Sequence, residues 1–116
     1  GAIADLAAMA GPWPVSGAAI EIGRTALQDA AWARATTDRL AQEVPQLDQI
    51  AARAGWPLVG GCALFRTYEA GDARAAQDRL ARARIWSRIF PWSDGWIRLG
   101  LPGAPQEWQR LGAALS

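Results

Sequence analysis

At Gly55-Trp56-Pro57 the chain changes its hydrophobic period, and no other feature of the sequence confines the fold as closely. Before that point Leu40, Val44, Leu47, Ala51 and Ala54 recur at spacings of three and four, the stripe of one buried helical face. After it come short apolar runs bounded by Gly, Pro and Asp, the punctuation of strands and turns. Helices first and short strands second, in 116 residues, predict a small α+β fold.

The element boundaries follow from local chemistry. An Ala-rich helical stretch over 3–9 stops at Gly11-Pro12-Trp13-Pro14, where prolines remove backbone donors and bias their predecessors away from helix. Ser16 is placed to cap a helix over 17–28, and Asp29 a longer one over 30–54 that Pro45 should kink. Gly55 supplies its C-terminal stop. Pro57–Val59 and Cys62–Tyr68 read as strand segments around Gly60-Gly61. A helix over 73–83 follows, capped by Asp72, with Arg79 and Arg82 suiting its C-terminal dipole. Arg84–Phe90 and Trp96–Leu101 read as an antiparallel hairpin across the turn formers of 91–95. A last helix starts near Pro105 and carries the stripe Trp108, Leu111 and Leu115.

The charged residues exclude more chemistry than they provide. All 12 basic residues are arginine, against 11 acids, and there is neither lysine nor histidine. Schiff-base catalysis on a lysine and any Ser-His, Cys-His or His-metal site are therefore excluded within this chain. A GC-rich coding sequence alone favours arginine, so its abundance does not by itself mark a site. The single cysteine, Cys62, allows no internal disulfide and no Cys/His metal cluster. Residues 1–10 lack the basic flank of a signal peptide, and no apolar run approaches the roughly 20 residues of a membrane span, so a cytoplasmic protein without membrane contact is expected. Seven tryptophans among arginines evoke base-stacking platforms, but Glu69, Asp72 and Asp78 interrupt any basic stripe, and no nucleic-acid partner is expected. Asp94 reads as a turn residue and Glu107 as a first-turn acid; Ser16, Ser87, Cys62 and Tyr68 have no identifiable base.

What is left is the hairpin. Side chains alternate along a strand, so Ile85 and Ile89 oppose Trp86 and Arg88, and Ile97 and Leu99 oppose Trp96 and Arg98. With the isoleucines and Leu99 toward the core, both Trp-Arg pairs share the other face. Two guanidinium groups there suit a carboxylate or phosphate. The spacing leaves open whether they hold an anion or stack on Trp86 and Trp96 at a domain contact.

On these residues the chain resembles the C-terminal portion of the fold-type I pyridoxal-phosphate enzymes, most of all the threonine-phosphate decarboxylases of cobalamin biosynthesis and the related histidinol-phosphate aminotransferases. Gly-Pro-Trp-Pro-Val-Ser at 11–16 resembles the link into the interdomain helix, and Gly-Gly-Cys-Ala-Leu-Phe-Arg at 60–66 the first strand of the small domain. Trp-Ile-Arg-Leu-Gly-Leu-Pro at 96–102 resembles the arginine strand, and Glu-Trp-Gln-Arg-Leu at 107–111 the last helix. The resemblance implies a remnant of the large domain and link over 1–16, interdomain helices over 17–54, and over 55–116 a small, mostly antiparallel sheet flanked by helices. It gives Arg98 the substrate carboxylate, and Arg88 the substrate phosphate or carboxylate. The cofactor-binding lysine, the acid partner of the pyridine nitrogen and the cofactor-phosphate site belong to a large domain that this sequence lacks. Pyridoxal phosphate is therefore expected in the parent enzyme and not on this fragment, which should be inactive alone and prone to self-association. The parent's substrate would be a phosphorylated amino acid. Two alternatives are a histidinol-phosphate-type aminotransferase and a non-catalytic protein-interaction module.

Overall fold

The computed structural model describes residues 1–11 and 14–116, apart from the side chain of Ala7. Pro12 and Trp13 of the expected link lie outside the described residues. The chain divides into two units, Gly1–Arg34 and Ala35–Ser116.

The first unit holds α1 (Ala2–Ala10), α2 (Gly17–Gln28) and the start of α3 (Ala30–Arg53). The caps fall where short polar side chains precede the apolar-periodic runs: the Ala19 N–H donates to Ser16 Oγ at 3.2 Å, and the Trp32 N–H to Asp29 Oδ1 at 2.9 Å. No residue of α2 is buried, and Ile20, Ile22 and Leu27 are exposed.

In the second unit α3 runs through Pro45 and ends in a Schellman motif, in which the Trp56 N–H donates to the Ala51 carbonyl and the Gly55 N–H to that of Ala52. Gly55 occupies the left-handed position, with φ of 78°. The remaining elements are β1 (Leu58–Cys62), β2 (Phe65–Glu69), α4 (Ala73–Arg82), β3 (Arg88–Phe90), β4 (Ser93–Gly100) and α5 (Pro105–Leu115). The four strands form an antiparallel sheet in the order β1-β2-β4-β3, so the fold is α+β as expected. Its inner face presents Tyr68, Ile97 and Leu99, which pack with Leu47, Ile50 and Ala51 of α3, Leu80 of α4, and Leu111 and Leu115 of α5. Leu47, Leu80 and Ile97 are wholly buried, each contributing about 1.5–3 kcal/mol of transfer free energy.

Three strand boundaries differ from expectation. Gly60-Gly61 is not a turn: β1 continues through both glycines, with a register shift between Leu58 and Gly60, and the hairpin turns at Ala63-Leu64. The glycine at 61 serves a close approach, since a Cβ there would overlap the Phe65 carbonyl oxygen. Residues 84–87 are not strand, because α4 ends in a second Schellman motif that takes up Arg84 and Ile85, and β3 begins only at Arg88. The Ile85 N–H donates to the Leu80 carbonyl and the Arg84 N–H to that of Ala81, with Arg84 left-handed at φ of 59°. Finally, the loop over 91–95 contracts to Pro91-Trp92, because Phe90 pairs with Ser93 across a register shift. Asp94 is therefore a residue of β4 and not of the turn. Gly95 lies in the strand too, where a Cβ would overlap the Glu69 carboxylate.

Candidate functional site

Antiparallel pairing decides which side chains share the face of the sheet away from the helices. Arg88 lies directly opposite Arg98, Thr67 opposite Arg98 on the other side, and Phe65 opposite Gly100. Both arginines therefore lie on one face, as the alternation predicted, and the register sets them side by side. Among the described residues neither makes an ion pair. Arg98 instead lies over the Phe65 ring, its Cζ 4.5 Å from the ring centroid.

Of the two tryptophans expected beside them, Trp96 shares their face of β4, whereas Trp86 lies outside the strands. Trp86 precedes β3 and is 91% exposed, whereas Trp96 lies within β4 opposite Glu69 and is 37% exposed. Trp86, Arg88, Arg98, Phe65, Leu64 and Ile89 line a groove of about 630 Å³, and Trp96 is not part of its wall. Two further residues line this groove: Gln77, which carries no signal in the sequence, and Ser87, the hydroxyl without an identifiable base. Ser87 is buried and its Oγ has no hydrogen-bond partner among the described residues, while Gln77 Nε2 donates to the Ser87 carbonyl at 3.1 Å. A serine between two exposed residues carries no sequence signal for burial.

The inner face carries a second polar cluster that sequence reasoning missed. Arg66 grips Asp48 of α3 with two hydrogen bonds, Nε to Oδ1 at 3.0 Å and Nη2 to Oδ2 at 2.8 Å, and the Tyr68 hydroxyl donates to Oδ1 at 2.6 Å. Burial pushes the Asp48 carboxyl up, but the hydrogen bonds from Arg66 and Tyr68 and the Arg66 charge outweigh it and hold it below the usual carboxylate range. Its hydrogen bonds to Asp48 raise the Arg66 guanidinium further. Burial first, then the bond to Asp48 and its charge, push the Tyr68 phenol up. The signal in the sequence was position: Asp48 is four residues after Val44 and three before Ala51, on the buried stripe. At the edge of the fold Glu107 behaves as expected of a first-turn acid. Its Oε2 accepts from the Gly103 N–H at 2.7 Å and the Ala104 N–H at 3.1 Å, and these bonds, Ala104 foremost, lower its pKa.

With no lysine or histidine, the groove offers guanidinium donors, one hydroxyl and apolar walls, which suits binding an anion and not moving its protons. Among the described residues no three Cys, Asp or Glu side chains gather to hold a metal ion, and no helix is long and apolar enough to cross a membrane.

No family model matches the chain. Curated relatives do. A threonine-phosphate decarboxylase of Pseudomonas aeruginosa (strain PAO1) is 38% identical over 110 residues, which is 95% of this chain and 33% of that protein. A threonine-phosphate decarboxylase of Sinorhizobium sp is 32% identical over 114 residues, 98% of this chain and 34% of that protein. The chain thus spans about a third of the length of the relatives it matches. Along almost its whole length it is related in sequence to one third of a threonine-phosphate decarboxylase.

Proposed function

We propose that the chain is the substrate-anion-binding, C-terminal part of a threonine-phosphate decarboxylase of cobalamin biosynthesis, acting in the cytoplasm and inactive on its own. The observation that carries this reading is the pair Arg88 and Arg98, opposite each other on one sheet face, in a groove and without carboxylate partners among the described residues. A phosphorylated amino acid bears two anionic groups, and the face offers two guanidinium forks. Arg98 takes the carboxylate and Arg88 the phosphate or the carboxylate. Bidentate bonds fix the orientation of the ligand as well as its position.

The resemblance implies pyridoxal phosphate in the parent enzyme, and the residues of this chain do not fit that group. It has no lysine, and hence no side-chain amine to condense with an aldehyde. In this reading the cofactor is held by the other two thirds of the parent, and the present residues contribute ligand binding alone.

Titration of the chain with O-phospho-L-threonine, inorganic phosphate and L-threonine, followed by the NMR signals of the arginine Nε–Hε groups, tests the reading. O-phospho-L-threonine is expected to move the Arg88 and Arg98 signals at lower concentration than either other ligand, and Arg98→Ala to weaken its binding by at least about tenfold. Arg88 and Arg98 signals that stay unmoved at millimolar concentrations would sink the reading.

A second reading, a non-catalytic interaction module, is favoured by the exposure of Trp86 and Trp92, at 91% and 70%. Exposed Ile20, Ile22 and Leu27 on α2 add to the unpartnered apolar surface and support self-association. Sedimentation velocity is expected to show association that grows with concentration. A single monomeric species at several milligrams per millilitre would count against the self-association expected of a fragment cut from its parent.

A further inference from the structure

We propose that Phe65 is a positioning residue for Arg98, holding its guanidinium ready for an anion before one arrives; the role rests on the anion-binding reading of the groove. The need for such a residue follows from the register. Arg88 and Arg98 are directly opposite on neighbouring strands, an arrangement of like charges that disfavours itself. No carboxylate pairs with either one among the described residues. A guanidinium in that setting would spread over many rotamers, and binding an anion would have to collect them again.

Phe65 answers this geometrically. It faces Gly100 across the β2–β4 ladder, while Arg98 faces Thr67, so ring and guanidinium are diagonal neighbours on one face. Gly100, the residue directly across from Phe65, brings no side chain of its own to this face. Arg98 Cζ lies 4.5 Å from the ring centroid. The negative face of the ring attracts the cation and offsets part of the repulsion from Arg88. The ring attracts the cation through its π face and accepts none of its N–H groups as a carboxylate would, so the donors stay available for a carboxylate or phosphate. Phe65 also lines the groove that Arg88 and Arg98 share. The contact therefore orients the fork without consuming a donor, which a carboxylate partner would do.

The test compares Phe65→Leu with Phe65→Tyr in the full chain. Leucine keeps apolar bulk but has no ring, whereas tyrosine keeps the ring face. In the unliganded protein the Arg98 side-chain protons should show an upfield ring-current shift that Phe65→Leu abolishes and Phe65→Tyr retains. Affinity for O-phospho-L-threonine should fall about 3- to 10-fold in Phe65→Leu and return in Phe65→Tyr, with unfolding midpoints close to wild type. Equal affinity in Phe65→Leu and wild type would overturn the positioning role, as would a loss in Phe65→Leu that tyrosine does not restore. If the wild-type arginines ignore O-phospho-L-threonine while the ring-current shift is present, the anion reading falls and the role falls with it. The shift alone then reports a structural contact.

Discussion

Replacing Asp48 with alanine lowers the unfolding free energy by about 2–3 kcal/mol at neutral pH. Breaking a fully buried ion pair typically costs about 3–5 kcal/mol, and that figure is reduced here because the Arg66 and Asp48 side chains are still 16% and 28% exposed. The loss comes from what is left behind: Arg66 keeps a half-buried guanidinium without its acceptor, and Tyr68 a buried hydroxyl without its own. Asp48→Asn, which keeps the shape and one acceptor oxygen, should lose less. The pH dependence carries a matching signature. Because the folded carboxyl titrates below its unfolded value, its contribution is present above the unfolded value and is lost as pH falls through the folded one. The Tyr68 phenol is raised, so its contribution holds below the ordinary tyrosine range and is lost as pH rises above it. Denaturant unfolding between about pH 2 and pH 7 checks the size and slope of the Asp48 contribution, and its extension to about pH 11 checks that of Tyr68. A loss under about 0.5 kcal/mol, the scale of a surface pair, would show that the cluster is not a support of the fold.

The same two Schellman motifs show what can be read from sequence and what cannot. The stop at Gly55 was legible because glycine is the residue that tolerates a left-handed φ; at Arg84 the same motif was invisible, since an arginine in that position costs strain and gives no signal. Without that signal Arg84–Ser87 reads as strand, and Trp86 falls on a sheet face it does not occupy. The caps Ser16, Asp29 and Asp72 are legible in the sequence because a short polar side chain before an apolar period favours the N-cap position. Alternation along the two strands was enough to put Arg88 and Arg98 on one face. It could not give their register, which depends on the shift between Ile89 and Phe90, nor the Phe65 contact, which comes from a strand on the far side of α4 in the sequence. Asp48, Arg66 and Tyr68 are separated by 18 and 20 residues, and such pairings appear only when the helix is laid on the sheet.

Replacing Arg98 with alanine in an active enzyme should remove about 2–5 kcal/mol of ligand stabilisation, roughly 30- to several thousand-fold in kcat/KM. The argument starts from the face: Arg98 is partly shielded, held over Phe65, opposite Arg88, and free of ion pairs among the described residues, so its donors have no competing acceptor there. A carboxylate bound by both edges of the fork loses orientation and charge compensation together when the fork is removed. Arg98→Lys should recover little of the loss, since a point charge on a flexible stem reproduces neither the planar fork nor the stacked face. If Arg98 sets orientation over the reacting centre, kcat falls along with the rise in KM; if it only supplies affinity, KM alone rises. The measurement is steady-state kinetics of a chimera in which residues 1–116 replace the matching third of the Pseudomonas aeruginosa threonine-phosphate decarboxylase, to which they are 38% identical over 110 residues. Arg82→Ala, at an exposed position outside the groove, serves as the control for lost charge. A folded Arg98→Ala chimera with unreduced kcat/KM would leave Arg98 as a structural cation stacked on Phe65, and the anion-holding role would pass from it.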